Sequence, residues 1–299
     1  MWKFYDRIIN QIPDDLDACI DYIHVGPMWT IVTAGKYAGI AVTVNEQNKQ
    51  IPDMNHLLHM PLKEAAAFCK SWDFIEASFG TAALNAYVNS PENTAARICK
   101  NDTNGFDDYR KLAAGKKVGI VGHFINLERF LLDSDVYVLE RRPEPGDYPD
   151  PACEYILPEM DYTFITGSAF INKTLPRLIH LSKYPIIIGP SFPMSSLLFQ
   201  YGVQELNGYM PLTITAKNAP AIGSGQILFS RFGKKVKIKS PCKRYDDISF
   251  RHAKLYKTAP GIPKNPERCR ELQFIRAVVH AWSHHTLTWT TFPIPDVLA

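Results

Sequence analysis

The chain lacks the features that mark a membrane protein or a disulfide framework. Its six cysteines form no C-x-x-C pair, which argues against a zinc ribbon and predicts free thiols in a reducing compartment. No apolar run approaches the roughly 20 residues that a membrane-spanning helix needs. The first residues carry charges throughout and do not resemble a secretory leader. We therefore predict a cytoplasmic protein that does not bind a membrane.

The chain also has little net charge, because its basic and acidic residues nearly balance. The 299 residues are 46% hydrophobic and 21% charged, which is typical of a soluble globular protein long enough for two domains. Up to Ser230 there are 19 Lys+Arg against 25 Asp+Glu, a net −6; from Arg231 there are 14 against 5, a net +9, and the two sum to +3. The acidic body argues against nucleic-acid binding, and we interpret the basic end as solvated.

The first hundred residues mix helix and strand signals. Residues 1 to 20 predict amphipathic helix, and "YIHVGPMWTIVTAG" and "YAGIAVTV" predict two strands joined by a turn at Gly35. Two more helices are predicted in "MPLKEAAAFCKSW" and "DFIEASFGTAALNAYVN". Glycine costs a helix about 1 kcal/mol relative to alanine, so Gly80 inside the second one indicates close approach of a backbone or a ligand.

A polar stripe runs along the second of these helices. Thr81, Asn85 and Asn89 recur every four residues and therefore share one helix face. This face lies either in a cleft between domains or against water. With no other observation to decide between them, the sequence favours water.

From Lys117 short β-rich runs alternate with helical stretches, which favours a parallel sheet covered on both faces. The predicted strands are 118–121, 136–139, 162–166 and 185–188, and the predicted helices are 126–132, 152–157 and 172–182. Ligands of such sheets bind beyond the carboxyl ends of the strands. This chain has glycine, proline and small polar residues there, so we expect a ligand cleft at that edge.

The first of these strands ends in an unusual glycine motif. It reads Gly119-x-x-Gly122 followed by His123 and Phe124, whereas a dinucleotide site requires G-x-G-x-x-G. The bulky pair hinders close approach of a pyrophosphate, so we predict no binding of NAD or NADP. At the end of the second strand, Glu140 could orient a ribose, another polyol or a heterocyclic N–H group. A solvated strand end beside two arginines explains it equally well.

Small and polar residues also follow the third and fourth strands. "TGSAFINKTLPRL" places Gly167 after a strand and Asn172 and Lys173 near a helix start, where free N–H groups and a lysine suit an anionic or carbonyl-bearing ligand. A lone lysine is more often solvated. "IIIGPS" brings Gly189 and Ser191 to the end of the next strand.

Two groups of side chains have the chemistry of metal ligands. The proline-rich loop holds Asp147, Asp150 and Glu154, which could bind a hard cation or act as a base. For the last two we favour helix capping and a dipole interaction. His280 and His284 have zinc-like spacing but no neighbouring carboxylate or cysteine. We therefore assign no metal site.

Four motifs resemble a known family: "FGTAALNAYVN", "GHF", "PGDYPDPACEYILPEMDYTFITGSAFINKTLPRL" and "IIIGPSFPMSSLLFQYGV". They are similar to the bacterial and archaeal "putative heavy-metal-chelation" family, formerly a domain of unknown function. The resemblance covers about residues 10–238 and implies an α/β protein. Its parts would be a small α+β enolase-N-terminal-like domain over residues 1–105 and a Rossmann-like parallel-sheet domain over 106–239. Residues 240–299 would be an atypical basic extension.

The resemblance implies a site in a cleft between these two domains. Its chemistry would be condensation or hydrolysis of a pterin-, flavin- or siderophore-like compound linked to heavy-metal chelation. The alternative is a non-catalytic binder of a metal–chelate complex; whether the protein is an enzyme, its cofactor and its self-association stay open. His123 and Lys173 are the expected acid/base groups. The expected ligand contacts are Thr81, Asn85, Gly122, Phe124, Glu140, Thr166, Gly167, Asn172 and Ser191. Phe124 would stack on a planar ligand bounded by Glu140 and Asn85.

Overall fold

The N-terminal region contains a small antiparallel sheet. The computed structural model describes residues 2–46, 49–95, 106–124 and 133–241. In the first two ranges, β1 (Tyr22–Val25), β2 (Trp29–Ala34) and β3 (Tyr37–Val42) pair in that order. The predicted turn at Gly35 is confirmed, because its φ is +60°. The stretch expected to form the first strand divides into β1 and β2, since the chain turns at residues 26–28.

Helices accompany this sheet. They are α1 (Trp2–Ile9), α2 (Leu62–Ala67), α3 (Phe74–Val88) and the short α4 (Pro91–Thr94). Of these, α3 packs directly against β2 and β3. Asp73 caps α3 by accepting hydrogen bonds from the N–H groups of Ile75 and Glu76. A Cβ on Gly80 would lie 2.0 Å from the backbone nitrogen of Cys69. The close backbone approach predicted for Gly80 is therefore confirmed.

The second region is built on a larger, mostly parallel sheet. Within the described residues its strand order is β10-β9-β8-β7-β4-β5-β6. The strands are β4 (Lys117–Val121), β5 (Asp135–Glu140), β6 (Tyr148–Pro149), β7 (Tyr162–Thr166), β8 (Pro185–Ile188), β9 (Glu205–Pro211) and β10 (Gly233–Lys239). The pair β9–β10 is antiparallel and the remaining pairs are parallel. This is a Rossmann-like strand order. Strands β5 and β6 extend to one side of β4, and β7 and β8 extend to the other, so the topological switch point lies between β4 and β7.

Short helices follow the parallel strands. They are α5 (Cys153–Ile156), α6 (Ser168–Ile171), α7 (Leu175–Leu181) and α8 (Ala219–Gly223). The single helix predicted over 172–182 is wrong at its start, because Lys173 has a φ of +69° and separates α6 from α7. The helix predicted over 126–132 and the extension after residue 241 lie outside the described residues.

One apolar core runs through both regions. It joins Phe4, Tyr5 and Ile8 of α1 to Phe170 of α6 and Leu198 beyond β8. The Tyr5 hydroxyl also donates to the carbonyl of Phe170 at 2.8 Å. Residues 1–243 accordingly form a single compact unit. Among the described residues, no helix combines the length and apolar character needed to span a bilayer.

Candidate functional site

An open groove of about 540 Å³ lies where the carboxyl ends of β5 and β7 meet the loop that follows β3. The groove lies at the edge where the sequence predicts a ligand cleft, and its role in ligand binding stays a prediction. We call it the carboxyl-edge groove. Its lining residues are Pro27, Thr43, Val44, Asn45, Glu46, Lys49, Ile51, Glu140, Arg141, Arg142, Ser168 and Asn172.

Two arginines cross this groove and meet at one residue of the opposite wall. The Arg141 Nη1 atom lies 2.8 Å from Oε1 of Glu46, and Arg142 Nη2 donates to the Glu46 carbonyl at 2.5 Å. Glu140 shapes the loop that carries them, because its Oε1 accepts the backbone N–H groups of Arg141 and Arg142 at 2.7 and 3.3 Å. Glu140, which the sequence predicts as a ligand contact, therefore lines the groove and also orders the loop that carries the two arginines.

Short polar side chains form the part of the groove contributed by β7 and α6. Ser168 shares a hydrogen bond of 3.0 Å with Thr166. Asn172 accepts from the backbone N–H of Thr174 at 3.1 Å and from its hydroxyl at 2.7 Å through Oδ1. Of the residues predicted to touch a ligand, Glu140 and Asn172 line this groove.

Lys173 lies buried next to the groove rather than in its lining. Its ammonium group donates to the Ile171 carbonyl at 2.5 Å and lies 5.5 Å from the ring centroid of Phe74. The guanidinium of Arg141 lies 5.8 Å from the same ring. Burial lowers the pKa of Lys173 to about 8, and it raises the pKa of the nearby Cys69 thiol to about 12. Lys173 can therefore exchange a proton near neutral pH.

His123 follows β4 and is held by the proline-rich loop. Its Nε2 atom lies 2.6 Å from Oδ2 of Asp147, and its Nδ1 atom lies 3.8 Å from Oε1 of Glu144. Asp147 Oδ2 also accepts the backbone N–H of Glu144 at 2.8 Å. A carboxylate that orients an imidazole is a common arrangement for acid–base chemistry. His123 is not among the groove's lining residues.

The polar stripe on α3 faces protein, so the expectation of a solvated face is wrong. Thr81 is buried and donates to the Ala77 carbonyl, while Asn85 Nδ2 donates to the carbonyls of Ile40 and Pro190. Asn89 donates to the Phe192 carbonyl and accepts from the Met194 N–H. Asn85 and Asn89 therefore join α3 to the segment after β8, whereas the hydrogen bond of Thr81 stays within α3.

Four other predicted ligand contacts serve the packing of the protein. Ser191 is buried and accepts from the backbone N–H of Val42 at 2.8 Å. Phe124 packs against Phe106 with ring centroids 5.2 Å apart. Gly122 has a φ of +97° and lies against the Thr166 side chain, and a Cβ on Gly167 would meet Phe192. The structure thus places these residues in tight contacts instead of in the lining of the groove.

Two sequence comparisons identify the family. Residues 5–88 match the DUF4213 model and residues 104–239 match the DUF364 model, both described as "Putative heavy-metal chelation". A protein of Methanocaldococcus jannaschii is 32% identical over 193 residues, which cover 59% of this chain and 71% of that relative. The chain therefore belongs to the family described as "Putative heavy-metal chelation".

Solved structures of the family share the fold. A DUF364 protein from Desulfitobacterium hafniense is 38% identical, with a TM-score of 0.72 over 80% of this chain and 98% of that one. One from Pyrococcus horikoshii is 22% identical, with a TM-score of 0.61 over 79% and 98%. The predicted family and the predicted α/β fold class are both confirmed.

In this member of the family, the acids of the proline-rich loop are engaged by other protein groups. The sequence favoured helix capping by Asp150, and this prediction is wrong: the side chain caps no helix, and both of its oxygens accept from Arg177 Nη2 at 3.0 Å. Glu154 lies 3.4 Å from Nη1 of the same arginine. Within the described ranges, no three His, Cys, Asp or Glu side chains are grouped so that they could hold a metal ion.

Several lining residues of the groove were missed by the sequence analysis. Arg141 and Arg142 were treated only as solvated neighbours of Glu140, although basic residues directly after a parallel strand are a usable signal for an anion site. Glu46 and Lys49 lie in a loop without a recognisable motif. Only the three-dimensional fold brings that loop to the end of β5.

Proposed function

We propose that the protein binds a small chelator-like organic compound in the carboxyl-edge groove and processes it, by condensation or hydrolysis, in a role linked to heavy-metal chelation. A pterin-, flavin- or siderophore-like compound fits this role. The observation that carries the proposal is the groove itself. It lies at the edge where parallel sheets bind ligands, and its 540 Å³ falls in the range of roughly 300–1,000 Å³ typical of small-ligand sites.

The two candidate acid–base groups lie outside the lining of the groove. Lys173 directly follows the lining residue Asn172, and burial brings its pKa to about 8, which suits proton transfer near neutral pH. His123 ends the motif after β4, the strand between β5 and β7, and is oriented by Asp147. In the proposed reaction, one of these groups removes a proton from the compound or donates one to it while Glu140 orients a polar N–H or O–H group.

A second candidate function is non-catalytic binding of a metal–chelate complex. It is favoured by the cationic side chains of the lining, Lys49, Arg141 and Arg142, because many metal chelates carry negative charge. It is also consistent with the positions of His123 and Lys173 outside the lining. In this alternative the complex is held and released unchanged.

Mass spectrometry of small molecules that co-purify with the full-length protein tests the proposal. We expect a compound that the wild type retains and that Glu140→Ala loses, with Glu159→Ala as an exposed control of the same chemistry. Retention by Glu140→Ala at the wild-type level would place the ligand elsewhere.

Turnover separates the two functions. If the recovered compound is converted by the wild type and left intact by His123→Asn and Lys173→Met, the protein is an enzyme. If the wild type returns it unchanged together with stoichiometric metal, the protein is a binder.

A further inference from the structure

We infer that the carboxyl-edge groove selects compounds that carry carboxylates, which Arg141 and Arg142 recognise, and that Glu46 is an internal counter-ion that such a compound displaces. The inference rests on the proposed function, since it concerns the ligand of the same groove. It assigns a chemical class to that ligand and a counter-ion role to one side chain of the wall.

The first argument is convergence. Arg141 and Arg142 follow the end of β5, and both reach Glu46, one at its carboxylate and one at its carbonyl. Glu140 imposes this arrangement by drawing in both backbone N–H groups. The result is two guanidinium groups directed at one residue, with Arg141 at its carboxylate and Arg142 at its backbone carbonyl.

The second argument is charge. Among the described lining residues, Lys49, Arg141 and Arg142 are cationic and Glu46 and Glu140 are anionic, so the lining carries one excess positive charge. Lys49 has its own partner outside the lining, because its Nζ atom lies 3.0 Å from Oδ2 of Asp73. Displacement of the Glu46 side chain would therefore free the guanidinium of Arg141 for an incoming anion, with Arg142 beside it on the Glu46 backbone carbonyl.

The third argument is the ease of displacement. The side chains of Arg141 and Glu46 are 38% and 31% exposed, and ion pairs of that exposure contribute little to stability. Arg141 keeps a second contact when Glu46 leaves, because its guanidinium lies over the Phe74 ring. The planar guanidinium is suited to bind a carboxylate through two parallel hydrogen bonds, which the single contact to Glu46 does not use. A ligand carboxylate can therefore replace Glu46 with a better geometry.

The test uses citrate, a small tricarboxylate, with binding to the full-length protein measured by calorimetry. Glu46→Gln removes the competing charge and keeps the side-chain shape, so we expect citrate to bind about 10-fold more tightly than to the wild type. Arg141→Gln and Arg142→Gln should each weaken binding at least about 10-fold. Higher salt should reduce the effect of Glu46→Gln.

Two controls isolate the groove. Glu154→Gln removes an exposed acid that pairs with an arginine elsewhere, Arg177, and should leave citrate affinity unchanged. Trimethyl citrate has no carboxylate charge, and its affinity should not respond to Glu46→Gln.

Three outcomes would overturn the inference. They are unchanged or weaker citrate binding in Glu46→Gln, citrate binding that does not depend on either arginine, and no citrate binding in both the wild type and Glu46→Gln. Loss of the co-purifying compound in Glu140→Ala does not depend on citrate. The proposed function can therefore stand when this inference fails.

Discussion

The Nε2 atom of His123 lies 2.6 Å from Oδ2 of Asp147, and this contact connects the end of β4 to the proline-rich loop before β6. Asp147 in turn exchanges backbone and side-chain hydrogen bonds with Glu144. The imidazole of His123, which follows β4, therefore helps to order this loop. The contact is a hydrogen bond when Nε2 carries the proton, because the Asp147 carboxylate can only accept.

Removal of the imidazole should loosen the loop. In His123→Ala we expect faster hydrogen–deuterium exchange of the amides of Glu144 and Asp147, because each of these N–H groups donates within the network that His123 supports. Mass spectrometry of a peptide over residues 143–149 measures this. His56→Ala, at an exposed position, is the control. Equal exchange in His123→Ala and wild type would show that the prolines order the loop without His123.

The sequence predicted the strands of the parallel sheet well because their buried β-rich runs are local signals. The runs at 162–166 and 185–188 coincide with β7 and β8. It missed β9 and β10, whose pairing depends on contacts distant in the chain. It also misplaced Asn85: a polar stripe on a helix looks the same whether water or a partner backbone satisfies it, and only the tertiary fold supplies the carbonyl of Pro190.

A pH series should reveal the buried charge of Lys173. Its pKa in the folded protein is about 8, below the value near 10.4 of an unfolded lysine, so the unfolded state binds more protons between these pH values. Wild-type stability therefore gains on the order of 3 kcal/mol from this group as pH rises from about 8 to about 10.4, and none below that window.

Comparison with a methionine variant isolates this contribution from other groups that titrate. Lys173→Met cannot titrate, so its stability relative to the wild type should fall by a similar amount, about 3 kcal/mol, across the same pH window. Urea unfolding at each pH gives the difference. Lys183→Met, at an exposed lysine, is the matched control. A pH-independent difference between Lys173→Met and wild type would contradict burial as the cause.

Asn85→Ala should destabilise the fold. The amide group of Asn85 is buried and donates to carbonyls of β3 and of the segment after β8, so its removal leaves both acceptors without this donor. We expect a loss of about 1–3 kcal/mol in the free energy of unfolding. Asn55→Ala, at an exposed site, should stay within about 0.5 kcal/mol of wild type.

The basic C-terminal stretch should be dispensable for folding of the rest. Residues 1–243 form one compact unit, and the family match ends at residue 239. A chain that stops after Lys243 should therefore keep a single cooperative thermal transition within a few degrees of the full-length protein. Calorimetry of both proteins compares them. Loss of the transition in the shorter chain would show that the C-terminal stretch contributes to the core.

Neither NAD nor NADP should bind, for reasons that the structure makes more specific. The turn after β4 reaches a φ of +97° at Gly122, where a Cβ would lie 2.9 Å from the Thr166 side chain. The next two residues are bulky and engaged: His123 with Asp147, and Phe124 with Phe106. A pyrophosphate needs small residues and close backbone approach at this position. Titration of the full-length protein with either dinucleotide should give no binding heat, and a dissociation constant in the micromolar range would mean that this turn rearranges to admit a phosphate.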